Sequence, residues 1–157
     1  MPNRHSNPEQ QFQAVEHILQ EWLKERRALL TRYTETIVAA DSGGDADALA
    51  QRQKDLCELL VDYTSAGHFE VFHELINEAE VFNDGSSALA QQLMPAIGDT
   101  TEVILAYDEK YGGAGATGSK LKRDLSALGE VLESRFVLED RLIAGLHNAH
   151  RVGMAAQ

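Results

Sequence analysis

The chain has 157 residues, of which 43% are hydrophobic; that is the size of one domain and too apolar for a disordered chain. Its 14 Lys and Arg stand against 25 Asp and Glu, a formal net charge of -11, which argues against direct nucleic-acid binding, since phosphate contacts need cations, and either suits a basic partner or serves only to keep the chain in solution. One cysteine, Cys57, leaves no internal disulfide; the polar start Met1–Pro8 has no signal core and no apolar run reaches the ~20 residues of a bilayer span, so a cytoplasmic location away from membranes is expected.

Three loop signals divide the chain: Asp41–Asp45, Asn83–Ser87 and the glycine-rich stretch Gly112–Ser119. Residues 1–157 read as a single helical domain, with 1–8 disordered and 112–119 a flexible loop. The first helix is expected from about Glu9 to Ala39, opening at Pro8. Its apolar stripe is Phe12, Val15, Ile18, Leu19, Trp22, Leu23, Leu29, Leu30, Tyr33 and Ile37. A second helix runs from about Asp45 to Tyr63 with Leu49, Leu56, Leu59, Leu60 and Tyr63 inward. A third runs from about Ala66 to Phe82 on Phe69, Phe72, Leu75, Ile76, Ala79 and Phe82.

Those last two stripes are out of phase. Six residues separate Tyr63 from Phe69, which sets the faces roughly 120° apart at about 100° per residue. A break or sharp bend is therefore expected at Thr64–Gly67, with Ser65 able to cap the new start and Gly67 tolerated there. The fourth helix, about Ser86 to Tyr111, contains Pro95, which predicts a kink or restart near Met94. The last runs from about Lys120 to Arg151 with Leu121, Leu125, Leu128, Leu132, Leu142 and Leu146 at three-four spacing. Long amphipathic helices joined by short loops predict an all-α fold, an antiparallel four-helix-type bundle with a bent helix pair at 64–67.

Most motifs that suggest chemistry fail on context. Gly113–Gly118 matches GxGxxG, but a helix precedes it where a dinucleotide site needs a strand. His73–Asn77 lacks the second histidine of HExxH, so two zinc ligands do not share one face. His147 and His150 could chelate on one face, yet a lone pair near a C-terminus is more often solvated. No nucleophile, base and orienting group stand at readable spacing. The expectation is a protein that is not an enzyme and carries no metal or cofactor.

The inner face of the last helix does carry one unusual feature. Past Leu132 its next positions are Arg135 and Glu139, before Leu142 resumes. Charges there are costly unless paired, and these two are four apart and can pair. The stretch Leu132–Asp140 also looks like the hemerythrin helix motif HFxxEE, with Arg135 where a ligand histidine would stand. A guanidinium cannot ligate iron. Two placements remain open: a polar core in which Arg135 occupies the place of a metal, or Arg135 in solvent with Phe136 buried.

Leu60-Val61-Asp62-Tyr63-Thr64-Ser65-Ala66-Gly67-His68-Phe69-Glu70-Val71-Phe72 closely resembles the signature of the Rsd/AlgQ family of sigma-factor regulators. Glu21–Arg26, Glu133–Ile143 and His147–His150 resemble the same family in the same order, and Glu78–Asp84 looks more like its AlgQ side. The resemblance covers roughly Trp22 to His150; the glycine-rich loop departs from it. It implies a helical bundle that binds region 4 of the primary sigma factor (sigma-70), keeps it from core RNA polymerase and the promoter -35 element, and favours alternative sigma factors. Region 4 is a basic helix-turn-helix module, a suitable partner for an acidic protein. By motif position the contact residues are Asp62, Ser65 and Phe69.

The residues themselves are compatible with that role. Asp62 can accept from a partner Arg or Lys. Ser65 either contacts the partner or caps the helix, and Phe69 is either an aromatic anchor or plain core. Glu70 and Glu74, with Glu78, fall four apart and would form either an acidic rim to the interface or an ordinary solvated face. The competing reading is a hemerythrin-like sensor that binds a metal or ligand.

Overall fold

The computed structural model describes residues 7–113 and 118–151. Among these residues it is helical throughout, with no strand. The helices are α1 (Pro8–Asp41), α2 (Ala46–Ala66), α3 (Phe72–Phe82), α4 (Ser87–Tyr111) and α5 (Leu121–Ile143). Two π-helical turns, Gly67–Val71 and Ala144–Asn148, join α2 to α3 and extend α5. The expected disorder of 1–8 and flexibility of 112–119 fall largely on residues 1–6 and 114–117, outside the described residues.

Each helix starts and stops for local reasons. The Asn7 side chain accepts from the backbone N–H groups of Glu9 and Gln10 and places Pro8 in the first turn, where its missing N–H costs nothing. Asp45 caps α2 through the N–H of Asp47. Asn83 ends α3 in the left-handed region at φ 53, a conformation asparagine tolerates better than most residues. Pro95 does not restart α4, which runs from Ser87 to Tyr111 without interruption; the ring sits on the exposed face.

The helices close a ring of antiparallel neighbours: α1 packs on α2, α2 on α4, α4 on α5, and α5 back on α1. The pairings confirm the directions. Glu35 reaches Arg52 and Gln11 reaches Glu74 across α1 and α2–α3, while Tyr33 reaches Leu125 and Glu16 reaches His147 across α1 and α5. The core is the apolar interior of this ring. Leu121, Leu125, Leu128, Leu132, Leu142 and Leu146 are all buried, as their spacing requires. On α1, Phe12, Val15, Leu19, Trp22 and Leu29 are buried, but Leu30, expected in the stripe, is 41% exposed.

The junction between α2 and α3 departs from expectation most. The chain does not break at Thr64–Gly67; it stays helical and widens into a π-turn, in which the Phe72 N–H donates to the Gly67 carbonyl five residues back. Buried residues here recur every four positions: Tyr63, Gly67, Val71, Leu75 and Ala79. In a straight α-helix each such step overshoots by about 40°, and the wider turn absorbs the drift. Two corrections follow. Phe69 leaves the core and stands 76% exposed, its inward place taken by Val71. Ser65 is exposed and caps nothing, because no new helix begins beside it.

Candidate protein-docking site

The outward flank of this junction collects what the sequence marked. Asp62, Ser65, Phe69 and Glu70 are all exposed, and the three- and four-residue spacings put Asp62, Ser65 and Phe69 along one side. His68 packs edge-on to the Phe69 ring, centroids 4.8 Å apart, which fixes an aromatic side chain in the open. From α1, Glu21 and Glu25 close the patch. Burial, and then the charges of Asp62, Glu70 and Glu21, raise the Glu25 carboxyl above its ordinary range. Lys24 pairs with Glu21 at 3.1 Å; Glu25, Asp62 and Glu70 have no ion pair among the described residues. The surface thus joins a cluster of like charges to one exposed phenyl group.

The rest of the expected acidic stripe is not on this surface. Glu74 is half-buried and accepts from Gln11 Nε2 at 3.1 Å. Glu78 is fully buried. Its Oε1 and Oε2 lie 2.7 Å from His147 Nδ1 and 2.7 Å from His150 Nδ1. The histidines, expected in solvent, are buried: His147 Nε2 faces Glu16 at 2.9 Å and His150 Nε2 faces Asp84 at 2.9 Å. Arg151 donates to Glu16 at 2.8 Å, which draws that carboxyl down to about 2. This cluster ties the end of α5 to α1, to α3 and to the α3–α4 loop. Every ring nitrogen of the histidine pair is thus within hydrogen-bond distance of a carboxylate. No group of three or more His, Cys, Asp or Glu among the described residues is placed to hold one.

Beneath the patch lies a polar network. Arg135 and Glu139 are both fully buried, with Arg135 Nε donating to Glu139 Oε2 at 2.8 Å. Arg135 Nη1 also donates to Thr100 Oγ1 at 3.0 Å and Thr101 Oγ1 at 2.7 Å. Arg26 Nη2 donates to Glu139 Oε1 at 2.9 Å, and the Tyr63 hydroxyl donates to the same oxygen. Burial pushes the Glu139 carboxyl up, opposed by Arg135, Tyr63 and Arg26. Two guanidinium groups and a phenol therefore answer one buried carboxylate, the condition for a buried charge to persist. The Trp22 indole N–H donates to the Tyr63 carbonyl at 3.1 Å and stacks on the Tyr63 ring at 4.6 Å. The network thus holds the helix that carries the docking patch.

Sequence reasoning did not assign Glu21, Glu25, Arg26 or the Glu78–His147–His150 cluster. Glu21 to Arg26 stands beside Trp22 in one of the family-like blocks, and that was the available signal. The convergence of these carboxylates with Asp62 and Glu70 is set between helices and has no spacing within one.

A sequence model described as regulator of RNA polymerase sigma(70) subunit, Rsd/AlgQ, matches residues 1–147. The chain belongs to this family. The chain is 30% identical over 147 residues to the regulator of sigma D of Yersinia enterocolitica, covering 91% of this chain and 88% of that protein. It is equally 30% identical to that of Yersinia pestis, over 91% and 87% of the two chains. The regulator of sigma D of Pectobacterium atrosepticum is 29% identical over 135 residues, 83% and 88% of the two. No solved structure matches. Among the described residues no helix of this family member is long and apolar enough to cross a membrane.

Proposed function

We propose that this protein is a stoichiometric, non-catalytic anti-sigma factor that acts in the cytoplasm as a single domain. It binds the primary sigma factor through region 4, without contacting DNA itself. Binding lowers the association of sigma with core polymerase and the -35 element and so favours alternative sigma factors. The observation that carries this reading is Phe69, 76% exposed at the junction where Glu25 lies close enough to Asp62, Glu70 and Glu21 to feel their charges. An exposed aromatic anchor beside three unpaired carboxylates, Glu25, Asp62 and Glu70, suits a basic helix: the ring supplies buried area, and the carboxylates accept from Lys or Arg. The like charges repel one another in the free protein, so a cationic partner relieves a cost already present. Ser65, small and uncapped, lets a partner helix approach between Asp62 and Phe69.

The test is a binding titration against the isolated primary sigma factor and its region 4 fragment. Asp62→Ala should weaken binding about tenfold, on the order of 1.4 kcal/mol, and Phe69→Ala by at least as much. Both side chains are exposed, so the thermal midpoint should stay at the parent value. Parent-like affinity in both variants would remove this face from the sigma interface.

A further inference from the structure

A second surface, on the other flank of α1, has the form of a helix-binding groove. α1 packs closely along α2 but touches α5 more sparsely, and two adjoining cavities open in the α1–α5 seam. One, about 530 Å³, is bounded by Ile37, Asp41, Lys122 and Glu130. The other, about 270 Å³, is bounded by Leu30, Leu132, Phe136, Val137 and Asp140. Tyr33, Gly129 and Glu133 line both, so the two form one trench. Along α5 it runs from Lys122 to Asp140, roughly 27 Å at 1.5 Å per residue.

The floor is built to stay open. The Tyr33 hydroxyl donates to the Leu125 carbonyl at 2.7 Å, laying the ring across α5 at Gly129. A Cβ at Gly129 would meet that hydroxyl at 2.1 Å, so the glycine is what lets the tyrosine lie flat. At the lips Leu30 is 41% exposed and Val137 55%. The rim carries Asp41, Glu130, Glu133 and Asp140 against one cation, Lys122, which pairs with Asp41 at 3.7 Å. Asp140 is held by Arg26 at 2.7 Å; Glu130 and Glu133 have no ion pair among the described residues.

We propose that this trench is a second docking site, distinct from the face at the α2–α3 junction, for an amphipathic helix of another protein that carries Lys or Arg along its flanks. Charge complementarity selects the occupant. A second copy of a chain with net charge -11 meets like charge at the rim, as does any nucleic acid or anionic membrane. A helix of about 18 residues matches the length of the trench, its apolar stripe covering Leu30, Phe136 and Val137 and its cations reaching Glu130 and Glu133. This goes beyond the sigma reading, and neither depends on the other.

The probe is a synthetic Leu/Lys amphipathic helix of about 18 residues, labelled for anisotropy and titrated with the full chain, beside a Leu/Glu peptide of the same pattern. The Leu/Lys peptide should bind and the Leu/Glu peptide should not. The double variant Leu30→Ser, Val137→Ser and the single variant Glu133→Lys should each weaken binding at least tenfold. Glu102→Lys, an equal change of charge at an exposed position of α4, should leave it within twofold. Thermal midpoints of all variants, whose altered residues lie at the surface, should match the parent. Sigma region 4 should bind the parent and the groove variants alike and should not displace the peptide. The proposal is overturned if Glu102→Lys acts as strongly as Glu133→Lys, because binding then follows net charge alone. It is equally overturned if the groove variants bind like the parent, if region 4 displaces the peptide, or if sedimentation finds a dimer that Leu30→Ser, Val137→Ser disperses.

Discussion

Glu25 sits where two requirements conflict. Burial and the nearby charges of Asp62, Glu70 and Glu21 raise its carboxyl, so the ionised form is disfavoured in the fold relative to the unfolded chain. That penalty is full above the raised value and disappears below the unfolded one, about 4.3. Glu25 is exposed and the repulsion is screened by solvent, so Glu25→Gln should raise stability at pH 7 by at most a few tenths of a kcal/mol, with the gain gone once pH has fallen to about 4. Urea midpoints measured against pH would show it; a loss of stability at pH 7 would mean that Glu25 is not under this repulsion. The same substitution should weaken sigma binding. Arg135 presents the opposite case, a charge fully buried and answered. Its Nη2 has no hydrogen-bond partner among the described residues, and Glu139 keeps Arg26 and Tyr63 if Arg135 is removed. Arg135→Met should therefore be tolerated better than Arg135→Ala, which adds a cavity costing about 2–5 kcal/mol in comparable cores. Equal thermal midpoints for the two variants would contradict the packing argument.

At the scale of the element, the π-turn at Gly67–Val71 decides what the docking face displays. It keeps Tyr63, Val71 and Leu75 on the inside and turns Phe69 out. Gly67 makes it possible, because Trp22 of α1 lies against its backbone: an added Cβ would stand 2.9 Å from Trp22 Cζ2. The indole is held by Tyr63 on one face and by Phe72 edge-on at 5.7 Å, so it has little freedom to retreat. Gly67→Ala should destabilise by about 1–3 kcal/mol, the usual cost of overpacking, although alanine is the better helix former. A lowered thermal midpoint is the expected result. A raised one would mean that propensity outweighs the contact and that Trp22 can move.

The whole molecule combines a neutralised interior with an acidic exterior. Buried charge is gathered into two closed clusters, one around Glu139 and one around Glu78. Glu25, Asp62 and Glu70 at the α2–α3 junction and Glu130 and Glu133 along the α1–α5 trench have no ion pair among the described residues. A field of that sign speeds encounter with a basic partner more than it holds the complex together. Sigma association should therefore slow as salt rises, with dissociation less affected. The pair of reversals Asp62→Lys and Glu70→Lys should flatten that dependence. Stopped-flow association at several ionic strengths would test it; a salt-independent parent rate would leave the acidic face without a role in capture.

Helical class was legible because an apolar stripe repeating on one face is a property of one helix, readable from spacing alone. Leu121 through Leu146 illustrates it, and so does the appearance of Arg135 and Glu139 on the same inner line. The long block from Leu60 to Phe72 pointed to the family. What spacing could not decide was anything that required a change of helical pitch or a second helix. Phe69 pointed inward at 100° per residue and points outward in the fold, because the π-turn resets the phase between Gly67 and Val71. Glu78 read as one charge of an exposed stripe, yet it is buried, because His147 and His150 come from an element some seventy residues away. Glu25 had no distinguishing neighbour in sequence and acquires Asp62 and Glu70 only when α1 lies against the junction of α2 and α3. Local periodicity selects the elements; the charge partners are selected by which helices meet.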